Sequence, residues 1–211
     1  NDTWTQSEKG EGTCVGKPIP GVEIKVIRIS EEPILKWEDD LEIPRGQTGE
    51  IIVKAPWVTK TYFNREDVTR FAKIPDGETF WHRMGDVGKW DEQNRLWFCG
   101  RKNHRVVTDS ETLFTIPCEA LFNQHPDVRR SALVGKGRGS HREPVIIIEP
   151  ENTERVAKDR ETFIKELLEI AAASPHTRSI KKILFYSDFP VDVRHNAKIF
   201  REKLAAWAES Q

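Results

Sequence analysis

Three charged residues stand where their types and neighbours could do chemistry. In WHRMGDVGKW (81–90) the carboxylate of Asp86 sits between Gly85 and Gly88. An acid beside residues that lack a Cβ suits the edge of a tight turn, where a ligand's backbone or hydroxyls come close. Such an acid accepts hydrogen bonds from ribose or sugar hydroxyls; the plain alternative is that it caps the turn. Arg101 follows the apolar run RLWFCG (95–100) directly. Its rigid fork of donors can reach a phosphate or hydroxyl, or make a surface salt bridge. Lys198 lies in PVDVRHNAKIFREKLAAW (190–207), which the pattern reads as a polar loop running into a terminal helix with Lys198 in its first turn. The helix dipole disfavours a cation there, yet a lysine at a positive helix end suits an anionic phosphate or acyl phosphate. The alternative is a solvated lysine. His82 and His104 have no serine or cysteine arranged as a nucleophile beside them and read as surface or supporting residues, while Trp81, Trp90 and Trp97 read as packing.

The elements that must position these residues fall into two groups. GVEIKVIRI (21–29), GEIIVKAP (49–56) and RLWFCG (95–100) read as short strands, separated by turns at PRGQTG, PDGE and DEQN. Between them NREDVTRFAKI (64–74) reads as a short helix capped by Asn64. Beyond Arg101 the order changes. IPCEALFNQHP (116–126) predicts a helix bounded by prolines. RSALVGKG (130–137) and PVIIIEP (144–150) predict strands joined by GRGSHRE. A helical stripe of Phe163, Ile164, Leu167, Leu168 and Ala171 follows, then the strand KKILFYS (181–187) and the terminal helix. Helix, strand, strand, helix, strand, helix make an α+β unit of about 110 residues, a usual domain size. The boundary is expected close to 101–104, inside the stretch that carries Asp86 and Arg101.

Composition bounds the possibilities. The 211 residues include 32% charged and 37% hydrophobic residues, as in a globular protein. No apolar run approaches the ~20 residues of a membrane span, and the polar opening NDTWTQSEKG is no secretory signal. With 33 basic against 34 acidic residues the net charge is -1, which gives no reason to expect a nucleic-acid partner. Cys14, Cys99 and Cys118 lack metal-ligand or CxxC spacing and read as packing residues in a reducing cytoplasm, with no metal site expected. A chain that opens at Asn1 is expected to be a piece of a longer protein.

Taken in order, GTCVGKPIPGVEIKVI (12–27), GQTGEIIVKAPWVTKTYFN (46–64), WHRMGDVGKWDEQNRLWFCGRKNHRVV (81–107), IPCEALFNQHPDVRRSALVG (116–135) and the lysine-bearing tail resemble the C-terminal part of an adenylate-forming enzyme. That superfamily includes acyl-CoA synthetases, nonribosomal adenylation domains and luciferases. The resemblance implies an α+β fold: a β-rich remnant of a large AMP-binding domain over 1–101, then a mobile C-terminal domain over 102–211 turning about Asn103, where the family usually has Asp or Lys. It implies that Asp86 binds the ribose hydroxyls of ATP with Arg101 assisting, and that Lys198 orients the carboxylate and the ATP phosphates. The phosphate loop and the glutamate linked to Mg2+ would lie upstream, so this chain alone is not expected to turn over ATP.

Two departures narrow the resemblance. Beyond the hinge the family's acyl-CoA ligases carry a lysine and then a glycine, where this sequence has Val107 and the longer VTDSETLFTIP (107–117). Coenzyme A is therefore doubtful as a cofactor. The tail reads HNAK (195–198) in place of T-x-x-G-K. FCGRKNHRVV (98–107), FTIPCEALFNQHP (114–126) and FPVDVRHNAKIFREKLAAWA (189–208) resemble the branch of bacterial long-chain olefin biosynthesis, which implies a 2-alkyl-3-hydroxy fatty acid as substrate and a β-lactone as product. The alternatives are a long-chain fatty-acid CoA ligase and, more distantly, a non-catalytic nucleotide- or partner-binding module.

Overall fold

The computed structural model describes residues 2–137, 139 and 141–211, so Arg138 and Ser140 of the GRGSHRE connection lie outside the described residues. The chain divides into two compact units, Gly12–Asn103 and His104–Gln211, the latter joined by residues 2–11. Those opening residues, expected with the β-rich part, form α1 (Asp2–Glu8), whose Glu8 carbonyl accepts a hydrogen bond from Gln124 Nε2 at 2.6 Å within the C-terminal unit.

The unit 12–103 is built on an antiparallel sheet. Its elements are β1 (Thr13–Gly16), β2 (Glu23–Ile27), β3 (Gly49–Lys54), α2 (Glu66–Ala72), β4 (Lys73–Asp76), β5 (Thr79–Trp90) and β6 (Leu96–Arg101). The order across the sheet is β1-β6-β5-β3-β2, with β4 also paired to β5. Side chains alternate between its faces. Ile27, Ile52, Ile74 and Trp81 form one buried cluster, and Val26, Ile51 and Leu96 another. Each such residue stabilises the fold by about 1.5–3 kcal/mol when fully buried. Asn64 does not cap α2: it stands at φ 51, and Arg65 occupies the cap position without a side-chain hydrogen bond. An asparagine tolerates this left-handed conformation, which turns the chain into the helix.

The unit 104–211 contains β7 (Val106–Val107), β8 (Thr112–Leu113), α3 (Thr115–Phe122), β9 (Val128–Lys136), β10 (Glu143–Pro150), α4 (Thr153–Ala173), β11 (Lys182–Phe185), β12 (Val191–Asp192), β13 (His195–Ile199) and α5 (Arg201–Ala208). The sheet order is β11-β10-β9, with β10 antiparallel to β9 and parallel to β11. Val145, Ile146, Ile147 and Ile148 of the central strand are all fully buried. A continuous apolar run is what a strand covered on both faces requires. Ile146 and Ile148 pack with Phe122, Phe163 and Leu167 of α3 and α4, while Val145 and Ile147 pack with Leu204 and Ala208 of α5. Asn152 caps α4 by accepting from the Glu154 N–H at 2.8 Å. No helix among the described residues is long and apolar enough to cross a membrane.

Candidate functional site

GDVG is not a turn. Gly85 to Gly88 run inside β5, and Asp86 lies directly opposite Arg101 on β6. Gly88 answers to a different demand. The register shifts there: Val87 pairs with Gly100 and Gly88 with Phe98, leaving Cys99 as an extra residue on β6. Such a bulge twists the strand and re-aims its side chains. A Cβ on Gly88 would lie 2.4 Å from the Trp97 carbonyl oxygen, so only glycine permits that approach. Gly100 stands at φ 125, in the region open to glycine.

The bulge leaves Asp86 half sheltered and Arg101 mostly exposed, with side chains 20% and 59% accessible. Arg101 Nη1 is 3.0 Å from Asp86 Oδ1, but its N–H bonds are not directed at that oxygen, which is buried and has no hydrogen-bond donor. Nη1 instead makes a long contact of 3.4 Å to the Met84 carbonyl. Burial pushes the Asp86 carboxyl above the usual aspartate value, and the Arg101 charge pulls the other way without cancelling it. A buried acceptor without a donor is costly until a partner arrives. A pair of hydroxyls meeting Asp86, with the guanidinium alongside, would supply one.

Behind this edge is a buried charge network that sequence reasoning missed. Glu50 on β3 and Arg83 on β5 are 1% and 3% accessible and make a two-pronged pair, Nε to Oε1 at 3.0 Å and Nη2 to Oε2 at 2.8 Å. Arg83 also donates to the carbonyls of Glu32, Phe71 and Ser30. Lys102 joins it, with Nζ 2.6 Å from the Ser30 oxygen and 3.4 Å from Glu50 Oε2. The residue after Arg101 is thereby anchored in the sheet. The one sequence signal was a charge at each of two otherwise apolar strand positions. Asn103 follows, exposed, in the middle of a 3-10 turn, Lys102–His104.

Lys198 belongs to the other unit, and its setting differs from the expectation. It lies on β13 rather than in the first turn of a helix, and α5 begins only at Arg201. The reason is local. Asp192 accepts the Arg194 N–H at 2.9 Å, which turns the chain back. Val191 then pairs with Ile199, and the Phe200 N–H reaches the Pro190 carbonyl at 2.8 Å. The helix-dipole argument for Lys198 therefore does not apply. Its side chain is exposed, while its neighbour Ile199 is buried. Asp192, held below the usual aspartate range first by the Arg194 side chain and N–H, also feels the Lys198 charge.

Asp86 and Arg101 are thus brought together by direct strand pairing, and Asn103 follows two residues later on the chain. Among the described residues no group of three or more His, Cys, Asp or Glu side chains is placed to hold a metal ion. Cys99 and Cys118 are buried and Cys14 partly so, and none of the three is joined in a disulfide.

Fold and sequence together define the class: the chain is the C-terminal part of an adenylate-forming ligase. It is 47% identical over 216 residues to the olefin β-lactone synthetase of Xanthomonas campestris, a match over 99% of this chain and 38% of that protein. The olefin β-lactone synthetase of Stenotrophomonas maltophilia is 42% identical over 214 residues, again 99% of this chain and 38% of the relative. The chain therefore spans well under half the length of these curated relatives. Among solved structures, O-succinylbenzoate coenzyme A synthetase from Bacillus subtilis, in complex with ATP and magnesium, shares the fold with a TM-score of 0.69 at 23% identity, covering 90% of this chain and 35% of that one. No family model matches the chain.

Proposed function

We propose that the full-length protein containing this chain uses ATP to activate a long-chain 2-alkyl-3-hydroxy fatty acid and closes it to a β-lactone. The observation that carries this reading is the likeness to two olefin β-lactone synthetases along nearly the whole chain. In the first step a carboxylate oxygen attacks the α-phosphorus of ATP, an O–P bond forms and pyrophosphate leaves. In the second the substrate's own 3-hydroxyl oxygen attacks the acyl carbon, AMP departs with the C–O electron pair, and the hydroxyl proton is released. No thiol is consumed, which accords with the altered segment after Asn103.

The residues of this chain take separate parts. Asp86 accepts hydrogen bonds from the ribose hydroxyls, its carboxylate standing opposite Arg101 on the neighbouring strand. Arg101 meets the nucleotide from the exposed side of the same strand pair. Lys198 neutralises the anions that converge during attack on the α-phosphate, where a positioned cation lowers the barrier by several kcal/mol. Asn103 acts as the hinge, and limited proteolysis is expected to cut first near residues 102–112. Magnesium, bound by residues outside this chain, would share the phosphate charge. Three cysteines outside any disulfide suit a reducing compartment and a cytoplasmic enzyme.

The test supplies the full-length protein with ATP, Mg2+ and a 2-alkyl-3-hydroxy fatty acid, with and without coenzyme A, and identifies products by mass spectrometry. A β-lactone and AMP formed without coenzyme A are expected. A thioester formed only when coenzyme A is present would replace the lactone reading with that of a CoA ligase.

A further inference from the structure

The exposed lysine on β13 has a long flexible stem, so the reach of its ammonium depends on where the strand's backbone is held. Three residues beyond it, the structure places a buried anchor. Glu119, on α3, is 5% accessible and accepts from three directions: the Leu133 N–H at 2.9 Å and Arg201 Nε at 3.3 Å meet Oε1, and Arg201 Nη2 meets Oε2 at 2.5 Å. Leu133 lies on β9, the edge strand of the sheet, so Glu119 also satisfies an edge N–H that no strand covers. Arg201 is the first residue of α5, and its side chain is only 15% accessible. Between Lys198 and Arg201, Ile199 is buried in the α5-side core and Phe200 is tied through its N–H to Pro190. The next residue, Glu202, lies with Oε1 3.1 Å from Nε2 of His104, the residue that follows the proposed hinge. The ties beside 198 therefore run to the β12–β13 pairing on one side and to the first turn of α5 on the other, where Glu119 is the buried acceptor.

We infer that Glu119 is a positioning residue for Lys198, acting through Arg201. This inference rests on the role proposed above for Lys198. Without the carboxylate, Arg201 becomes a partly buried charge that has lost its hydrogen-bonded partner, and the favourable response is for its guanidinium to swing towards water. That movement carries the start of α5, and with it the end of β13. A displacement of about 1 Å at a catalytic group can cost on the order of 100-fold in rate. Lys198 serves the adenylation step, so the loss belongs to that step and not to the closure that follows it.

The experiment compares Glu119→Gln, Glu119→Asp and Lys198→Ala in the full-length enzyme. Adenylate formation is read by acid-dependent exchange of pyrophosphate into ATP, and closure by lactone release from synthetic acyl adenylate. Glu119→Gln is nearly isosteric and keeps one acceptor, but should lower the kcat of exchange by about 10–100-fold. The KM for ATP and the closure rate should stay within about 3-fold, and Glu119→Asp, which keeps the charge, should recover part of the loss. Exchange within about 2-fold of the parent for Glu119→Gln, while Lys198→Ala collapses it, would overturn the inference. An equal fall in both half-reactions would do the same, since it reports general damage to the fold. If Lys198→Ala itself leaves exchange unchanged, the fault lies with the role given to Lys198, and the inference falls with it.

Discussion

Each unit fastens the residue proposed for chemistry to a buried carboxylate–guanidinium pair, and the two pairs are built differently. Glu50 and Arg83 belong to neighbouring strands, β3 and β5, 33 positions apart, and every donor nitrogen of Arg83 is occupied. Glu119 and Arg201 are 82 positions apart and join two helices, α3 and α5, with one strand N–H added. The first pair ties two carbonyls of the irregular chain after β2 and one of α2 to the sheet, so it holds the unit together and the Asp86 edge benefits secondarily. The second fixes one end of one helix, so its effect is concentrated on where Lys198 stands. A buried ion pair is weak evidence for stability in itself. What differs is how much surrounding structure depends on it.

The largest effect that would test this contrast is on stability. Arg83→Met leaves Glu50 buried with the Lys102 ammonium 3.4 Å away and removes the Arg83 donor from the Glu32 and Phe71 carbonyls, while Ser30 keeps its bond from Lys102. A loss of about 3–5 kcal/mol is expected, read as a lower denaturant midpoint. A near-normal midpoint would erase the distinction between the two pairs. Lys198→Ala is next: adenylate formation should fall by about 100–1,000-fold with ATP binding nearly intact and the midpoint unmoved, since the side chain is exposed. Loss of ATP binding in step with rate would move Lys198 from chemistry to general nucleotide affinity.

Asp86→Ala should weaken nucleotide binding by about 10–100-fold, the worth of hydrogen bonds to a charged acceptor. The pH dependence follows from the same carboxyl. Burial raises its folded pKa, so on acidification Asp86 takes up a proton before an ordinary aspartate would. Nucleotide affinity should therefore decline at a higher pH than the usual aspartate value would give, and the decline should vanish in Asp86→Asn. Titration calorimetry across that range reads it.

The smallest effect sharpens the comparison from within the β-rich unit. Burial would raise the Asp91 carboxyl, but the Trp97 indole, the N–H groups of Arg95 and Gln93 and the Arg95 guanidinium outweigh it and hold the carboxyl far below the usual range. Its folded pKa lies below its unfolded one, so its stabilisation is complete above about pH 4 and disappears as pH falls through the folded value. Asp91→Asn should cost about 1–2 kcal/mol at neutral pH and flatten the acid limb of the stability curve. Unlike Arg83, Asp91 binds a single turn, and a loss as large as that of Arg83→Met would contradict the ranking.

Local pattern made most elements legible. The apolar alternation of EIKVI and the unbroken VIII of 145–148 read as strands and are strands, and the stripe Phe163, Leu167, Ala171 is the buried face of α4. Of the readings that the structure corrects, two failed for related reasons. GDVG has turn composition, but Gly88 serves the Trp97 approach and the bulge against β6, which are contacts with residues 9 and 10 positions away. AKIF continues smoothly into a helical pattern, yet hydrogen bonds to Pro190 and pairing with Val191 draw it into a hairpin. In both cases propensity was overruled by pairing.

The order of the motifs and the identity of Asp86, Arg101 and Lys198 as the residues to watch were determined by the sequence alone, because their types and neighbours survive any arrangement of the chain. Tertiary structure decided the rest: that Asp86 and Arg101 face each other across two strands, that Lys198 rides on a hairpin, and that Glu50 and Glu119 are buried and paired. A charged side chain reads as solvated until its surroundings are known. Only the folded chain, which removes water from Glu119 and brings Arg201 to it from 82 residues away, turns one into an anchor.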